Sequence, residues 1–448
     1  MNTENPAPGR KPQQAHLTRL RPAQLVELCP LTRCTHVTHS PIRDGLRLLK
    51  QPDFAKLFSA YLISYAGNAM APIAMAFGVL ALTGSTRDAA FVIAAPTAAQ
   101  VLVLLFGGVI ADRTSRQRTI VVADTLAVIS QLIIAGLFLS GQASVPALTV
   151  FMLVNGIAMA LHLPASTGMI PQIVAPADLQ AANALLGTAR SAAITLGAAL
   201  AGILVAWLGA GWAIAIDALS FAIAALLIAS LRPKSQALTD QATLIQDLIL
   251  GWREFTRHQW LWTIVLQFSL VIAAFEGVLG LLGPAVARDT LGGPVAWGLI
   301  AASFGFGTLA GGIIALKITI ARPMLVASLS VLTFSFIPLA LAVPLPVNLI
   351  CFAASITGIG GQLFGVLWHT TLQQRIPGHL LSRVSAYDHL GSIILAPMGI
   401  ILAGVLYETL GPRTTLLLSA ATIILPTLAV LFVREVRELE RQPPISTD

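Results

Sequence analysis

Residues 260–282 read WLWTIVLQFSLVIAAFEGVLGLL, with Glu276 the one charged side chain in the run. A helix rising 1.5 Å per residue crosses the hydrocarbon of a bilayer in about 20 mostly apolar residues, so this run predicts a membrane span. The same reading outward from it gives 54–82, 89–111, 119–139, 145–170, 184–208 and 211–231 before it. It gives 294–316, 323–343, 347–369, 386–410 and 414–433 after it. These runs explain why 56% of the 448 residues are hydrophobic and only 10% charged, where a soluble domain carries roughly 25% charge. Lipid accepts such a surface, and a helix satisfies its own backbone there. Gly209 and Gly411-Pro412 separate adjacent runs, which predicts helical hairpins. The expected fold is an all-α integral membrane protein with twelve transmembrane helices.

The net charge of +7 would suit an acidic or nucleic-acid partner, but its placement gives another reading. Of the 27 Lys and Arg residues, all but Arg87, Arg190, Arg288 and Arg413 fall on one side of the twelve-span layout. Arg190 lies inside a span. Positive residues collect on the cytoplasmic side, so both termini and the central loop are expected in the cytoplasm and nucleic acid is set aside. The expected division is a basic tail at 1–50, six spans in 51–231, a linker at 232–259, six spans in 260–433 and a tail at 434–448. The first fifty residues hold no apolar core long enough for a secretory signal, so the first span is expected to remain as an anchor. The expected location is a bacterial plasma (inner) membrane.

The halves repeat. Gly107-Gly108-Val109-Ile110-Ala111-Asp112-Arg113 returns as Gly311-Gly312-Ile313-Ile314-Ala315-Leu316-Lys317, 204 residues later. Ala201-Gly202-Ile203-Leu204 with Leu208-Gly209 returns as Ala403-Gly404-Val405-Leu406 with Leu410-Gly411, at an offset of 202. Pro176 with Leu179 returns as Pro377 with Leu380, at 201. Parallel repeats of this kind are a transporter architecture, with substrate bound near mid-membrane between the halves.

The stretch from Gly107 through Asp112-Arg113-Thr114-Ser115-Arg116-Gln117-Arg118 resembles the signature between the second and third helices of the major facilitator superfamily. Pro171, Val174, Leu179, Ala182, Asn183 and Leu185, and the segment from Leu372-Gln373 to Arg383, resemble the branch of enterobactin exporters and macrolide efflux proteins. The resemblance covers about residues 50–436. It implies proton-driven efflux of small amphipathic molecules of drug, macrolide or siderophore type. It also implies a cytoplasmic gate at Gly108, Asp112, Arg113 and Arg116, with Asp388 as a partner. Three departures stand out. Leu316 replaces the acid in the second copy, Gly197-Ala198 stands where drug antiporters often have Gly-Pro, and Asn68 stands where the branch often has an acid.

Among the intramembrane polar residues, Glu276 comes first. A charge at the bilayer centre costs at least ~2.5 kcal/mol, so acids kept there face an interior cavity or a partner. Glu276 is read as a proton-coupling carboxylate or a charge complement to substrate, against a paired structural acid. Asp217 and Asp124 are second candidates for the same roles. Arg190 either meets an anionic group or snorkels to the interface. Asn68, Gln100, Gln131, Asn155, Gln267 and Gln362 are cavity-lining candidates, against a role as interhelical glue worth ~0.6 kcal/mol each. His162 and His369 read as interfacial.

Cys29, Cys34, His36 and His39 have metal-ligand chemistry at cramped spacing, and neither metal nor cofactor is assigned. Leu244, Ile245, Leu248, Trp252 and Phe255 recur at helical spacing, with Arg253 and Arg257, which predicts a helix on the cytoplasmic surface. The chain has no Gly-x4-Gly-Lys-[Ser/Thr] loop and no His-Glu-x-x-His, which disfavours ATP-driven transport and metalloprotease chemistry. It is not read as an enzyme. The expected partners are a small-molecule substrate, protons and the lipid bilayer, with the protein a monomer. An importer or facilitator on the same fold, and a non-transporting receptor or scaffold, remain the alternatives.

Overall fold

The computed structural model describes residues 46–113, 115–233, 244–318, 320–343 and 345–440, with their side chains except at 105–113, 177, 244–248, 379 and 382. Cys29, Cys34, His36 and His39 lie outside the described residues, as do the side chains of Gly108, Asp112 and Arg113.

Twelve of the described helices are long and apolar enough to cross a membrane. Spans 1–6 are Pro52–Thr83, Thr86–Leu104, Arg116–Leu139, Val145–Ile173, Leu179–Leu208 and Ala210–Ala229. Spans 7–12 are Gln259–Leu291, Pro294–Lys317, Pro323–Ala342, Val347–Arg375, Arg383–Leu410 and Pro412–Val430. No strand occurs among the described residues. Span 5 starts at Leu179 rather than 184, and span 10 runs to Arg375 rather than 369. Counting apolar residues stops where polar ones begin, whereas a helix bonds internally and continues beyond the hydrocarbon. Span 7 runs to Leu291 rather than 282, through Gly283-Pro284. It does so with π turns at Val278–Leu282 and Ala287–Leu291, the usual way a helix absorbs a residue out of register.

Proline sets the breaks. Pro72 has no N–H to give the Asn68 carbonyl, and span 1 divides into helices Pro52–Asn68 and Ala71–Thr83. Pro397 acts likewise on span 11, between Ile393 and Ala396. Gly209 and Gly411 make the turns after spans 5 and 11 in one conformation, φ 84° and 80°, which side chains rarely adopt.

Helices in lipid associate by close packing rather than by the hydrophobic effect, and small residues permit it. A Cβ on Gly156 in span 4 would strike the Pro96 carbonyl in span 2, and one on Gly358 in span 10 would strike the Phe304 carbonyl in span 8. Between the halves, span 5 packs on span 8 and span 11 on span 2. Gly202 lies against the Pro294 carbonyl and Gly298, and Gly404 against the Thr86 carbonyl and Ala90. Each half thus offers the same two helices, and each meets the other half's opposite number. The repeat seen in the sequence is a two-fold relation in the structure.

A further helix, Leu244–Arg257, joins the halves. The Trp252 and Phe255 rings lie 5.4 and 6.1 Å from Tyr387 at the start of span 11, and Gly251 abuts Arg383.

Candidate functional site

The halves are fastened at the end that carries the turns after spans 1, 7 and 11. Glu408 Oε1 accepts the Ser85 hydroxyl at 2.8 Å, the Arg87 N–H at 3.0 Å and the Thr86 hydroxyl at 3.4 Å. Ser85 Oγ in turn accepts the Asp88 N–H at 3.1 Å. The first turn of span 2, whose N–H groups lack helical partners, is therefore capped jointly by its own Ser85 and by a carboxylate of the other half. Nearby, Arg288 of span 7 donates to the Leu80 carbonyl of span 1 at 3.1 Å.

Below this closure, span 7 meets span 2 at its π turn. On span 7, Gly280 touches Ile93 of span 2. One turn further in comes Glu276, and then Ile272 and Phe268, which line a cavity of about 330 Å³ with spans 10 and 11. Glu276 is one turn from Ile272, ahead of the π turn that begins at Val278. It is exposed, and no hydrogen bond or ion pair reaches its carboxylate among the described residues. On span 2, Gln100 falls two turns beyond Ile93 and is half-buried.

Arg190 of span 5 is exposed and sits over the Tyr65 ring of span 1 at 5.1 Å, a cation–π arrangement. Gly197, in the pair that departs from Gly-Pro, abuts the Ala66 carbonyl. Ala198 presents its carbonyl to Gly298 of span 8, so this pair sits where spans 1, 5 and 8 cross. Asn68 is half-buried at the break of span 1.

The other polar residues lie inside the bundles. Asp217 is fully buried and accepts Gln131 Nε2–H at 3.0 Å, while Gly67 leaves room for it and Ser220. Asp124 is buried, and its Oδ1 stands 2.7 Å from His162 Nδ1. Gln267 donates to Thr427 Oγ1 at 2.9 Å. Asn155 is buried with its Nδ2 unpartnered among the described residues. Gln362 packs against Gly311 and Gly312 of span 8. Asp388 is buried within the cavity of spans 7, 10 and 11 and accepts Trp368 Nε1–H at 2.9 Å. Arg116 covers Gly168, taking the space that a Cβ there would need.

The family model for transmembrane secretion effectors, within the major facilitator superfamily, matches residues 44–447. The chain belongs to this family. As a secretion effector of this kind it is a multi-pass transporter, acting on a small-molecule substrate within a membrane. It is 26% identical over 417 residues to the multidrug efflux pump Tap of Mycobacterium tuberculosis, covering 89% of this chain and 97% of Tap. It is 25% identical over 409 residues to the enterobactin exporter EntS of Shigella boydii, covering 89% and 96%. The nucleoside transporter NupG superposes with a TM-score of 0.67 at 13% identity, covering 85% and 98%. An inward-facing bacterial homologue of the lysosomal transporter Spinster gives 0.67 at 14%, covering 88% and 98%. At these identities the two structures speak for the fold alone.

Three features of this secretion effector leave no mark in the sequence: the Glu408 cap, the Asp124–His162 pair and the Asp388–Trp368 bond. Glu408 sits near the end of its run, where an acid is unremarkable by hydropathy. His162 and Trp368 give no signal because their partners lie on other helices.

Proposed function

We propose that this chain exports small amphipathic molecules from the cytoplasm across a bacterial inner membrane by alternating access, driven by inward proton flow. The observation that carries the reading is Glu276. An unpaired carboxylate in mid-membrane is costly unless it exchanges a proton or meets a cation there. The excess of Lys and Arg at the termini and central linker supports placing both in the cytoplasm. The end fastened by Glu408 is then periplasmic, and the cleft opens inward. Arg190 is the positive counterpart on the N-terminal half, with Asn68 and Gln100 lining the cleft nearby. Asp217 and Asp124 act from within the N-terminal bundle through Gln131 and His162. The turn bearing Gly108, Asp112, Arg113 and Arg116 closes the cytoplasmic end in the opposite state. The names of the efflux relatives support export over uptake.

Everted membrane vesicles test the reading, with a proton gradient followed by an acid-sensitive dye and a panel of a catechol siderophore, macrolides and lipophilic cations. The expected result is compound-dependent loss of the gradient, absent from vesicles without the protein. Compound movement down its own gradient with no proton dependence would instead make the protein a facilitator.

A further inference from the structure

Where spans 7, 9 and 11 end and spans 10 and 12 begin, a pocket of about 620 Å³ opens among them, within the range of small-molecule sites. Val286, Leu291, Leu341, Leu345 and Val347 give it an aliphatic bowl. Span 7 lines that bowl from Leu291 to Val286, or about 7.5 Å of depth at about 1.5 Å per residue. Its polar members are Asp289, Thr290, Tyr407 and Arg413, and three of the four are already engaged. Thr290 donates its hydroxyl to the Val286 carbonyl at 2.8 Å, Tyr407 donates its hydroxyl to Asp289 Oδ2 at 3.3 Å, and Asp289 Oδ1 accepts Arg288 Nε–H at 2.7 Å. Arg413 is exposed, and no hydrogen bond or ion pair reaches its guanidinium among the described residues. The wall of the pocket is also one side chain from the other half. Arg288, held by Asp289, donates to the Leu80 carbonyl of span 1, and Tyr407 immediately precedes Glu408, which takes the first turn of span 2.

An aliphatic bowl beside one unanswered guanidinium matches an amphipathic anion. Arginine holds a carboxylate through two parallel N–H···O bonds, and each methylene removed from water adds to the affinity. A cationic headgroup finds no such welcome, because both Asp289 oxygens already accept donors and Arg413 repels it. A bilayer lipid with two long chains outruns a bowl of this depth, whereas one chain of medium length fills it. We propose that this pocket is a regulatory site for a medium-chain carboxylate, its headgroup on Arg413 and its chain in the bowl, and that occupancy favours the closure made by Glu408 and Arg288. A ligand shifts an equilibrium toward the arrangement it binds better. Here a filled bowl fixes the end of span 7 against Tyr407, and through Asp289 it holds Arg288 on the Leu80 carbonyl. The site does not depend on what is transported, in which direction, or by what driving force.

The test uses the full chain in lipid nanodiscs and a decanoate bearing a diazirine at its far end, photolysed and mapped by mass spectrometry. Labelling is expected to saturate and to fall within 286–291 and 341–347. Unlabelled decanoate should displace it, and decyltrimethylammonium, with the same chain and the opposite charge, should not. Arg413→Gln is expected to lower this labelling about tenfold at a fixed, subsaturating concentration. Arg413→Lys, which keeps the charge, should retain most of it and separates a charge effect from a lost fold. Regulation is read from Ile93→Cys, beneath the closure, in a chain whose three native cysteines are replaced by serine. Decanoate is expected to slow its reaction several-fold with an impermeant maleimide applied to sealed vesicles from the fastened side, and Arg413→Gln to remove that effect. Labelling that does not saturate, labelling elsewhere in the chain, equal displacement by decyltrimethylammonium, or an Arg413→Gln chain labelled like the wild type would each overturn the site. Labelling at the site with an unchanged Ile93→Cys rate would overturn the regulatory role.

Discussion

Glu408 fastens the halves at the end that carries the turns after spans 1, 7 and 11. Its carboxylate accepts three donors from the start of span 2, two of them side chains, in the position where an anion complements a helix N-terminus. Such an interaction contributes roughly 0.3–1 kcal/mol, and up to ~2 kcal/mol when partly buried. Glu408→Gln keeps the shape and loses the charge, so the end it fastens should open several-fold more often. A cysteine placed at Ile93, beneath the closure, should then react several-fold faster with an impermeant maleimide applied from that side of the membrane. An unchanged rate would show that the cap does not hold that end. Glu276 is legible in the sequence because a lone acid stands out in an apolar run and is costly to keep there. The Glu408 cap is not, because its donors lie over 320 residues away, and hydropathy carries no record of which helix ends meet.

At the scale of elements, glycine position decides stability. Gly209 and Gly411 hold φ 84° and 80° with extended ψ, a region open to almost no other residue. Gly411→Ala should cost about 1–3 kcal/mol and lower the thermal midpoint in detergent. Gly136 in span 3 is helical with nothing within 4 Å of a Cβ, so Gly136→Ala should be neutral or stabilise by up to about 1 kcal/mol. Gly358→Val, driven into the Phe304 carbonyl, should destabilise by about 1–3 kcal/mol or prevent insertion. If Gly136→Ala and Gly411→Ala shift the midpoint alike, the turn conformation is not what matters at Gly411. The number of spans is legible because about 20 apolar residues is a physical length. Their ends are not: residues 179–183 and 370–375 are helical although their polarity ends the apolar count. The π turns that carry span 7 through Pro284 have no signature in hydropathy either.

At the scale of the molecule, the halves exchange equivalent helices across their interface, span 5 on span 8 and span 11 on span 2. The contacts Gly202–Pro294 and Gly404–Ala90 are therefore two copies of one joint. The 202-residue offset that announces the repeat also relates Gly156 to Gly358 and Gly209 to Gly411. The duplication is legible because glycines at carbonyl contacts and left-handed turns are hard to replace. Which faces turn inward is not legible, since helices apolar on every side give periodicity little to act on. Glu276 stands at the centre of the proposed transport cycle. The decisive experiment compares wild type and Glu276→Gln in proteoliposomes, using a compound identified by the vesicle panel. Uphill transport driven by an imposed pH gradient and gradient-free exchange of labelled for unlabelled compound are followed side by side. Glu276→Gln is expected to lose gradient-driven accumulation at least tenfold, at roughly constant exchange. Full gradient-driven accumulation by the variant would contradict proton coupling at Glu276, and the proton would then have to be carried elsewhere.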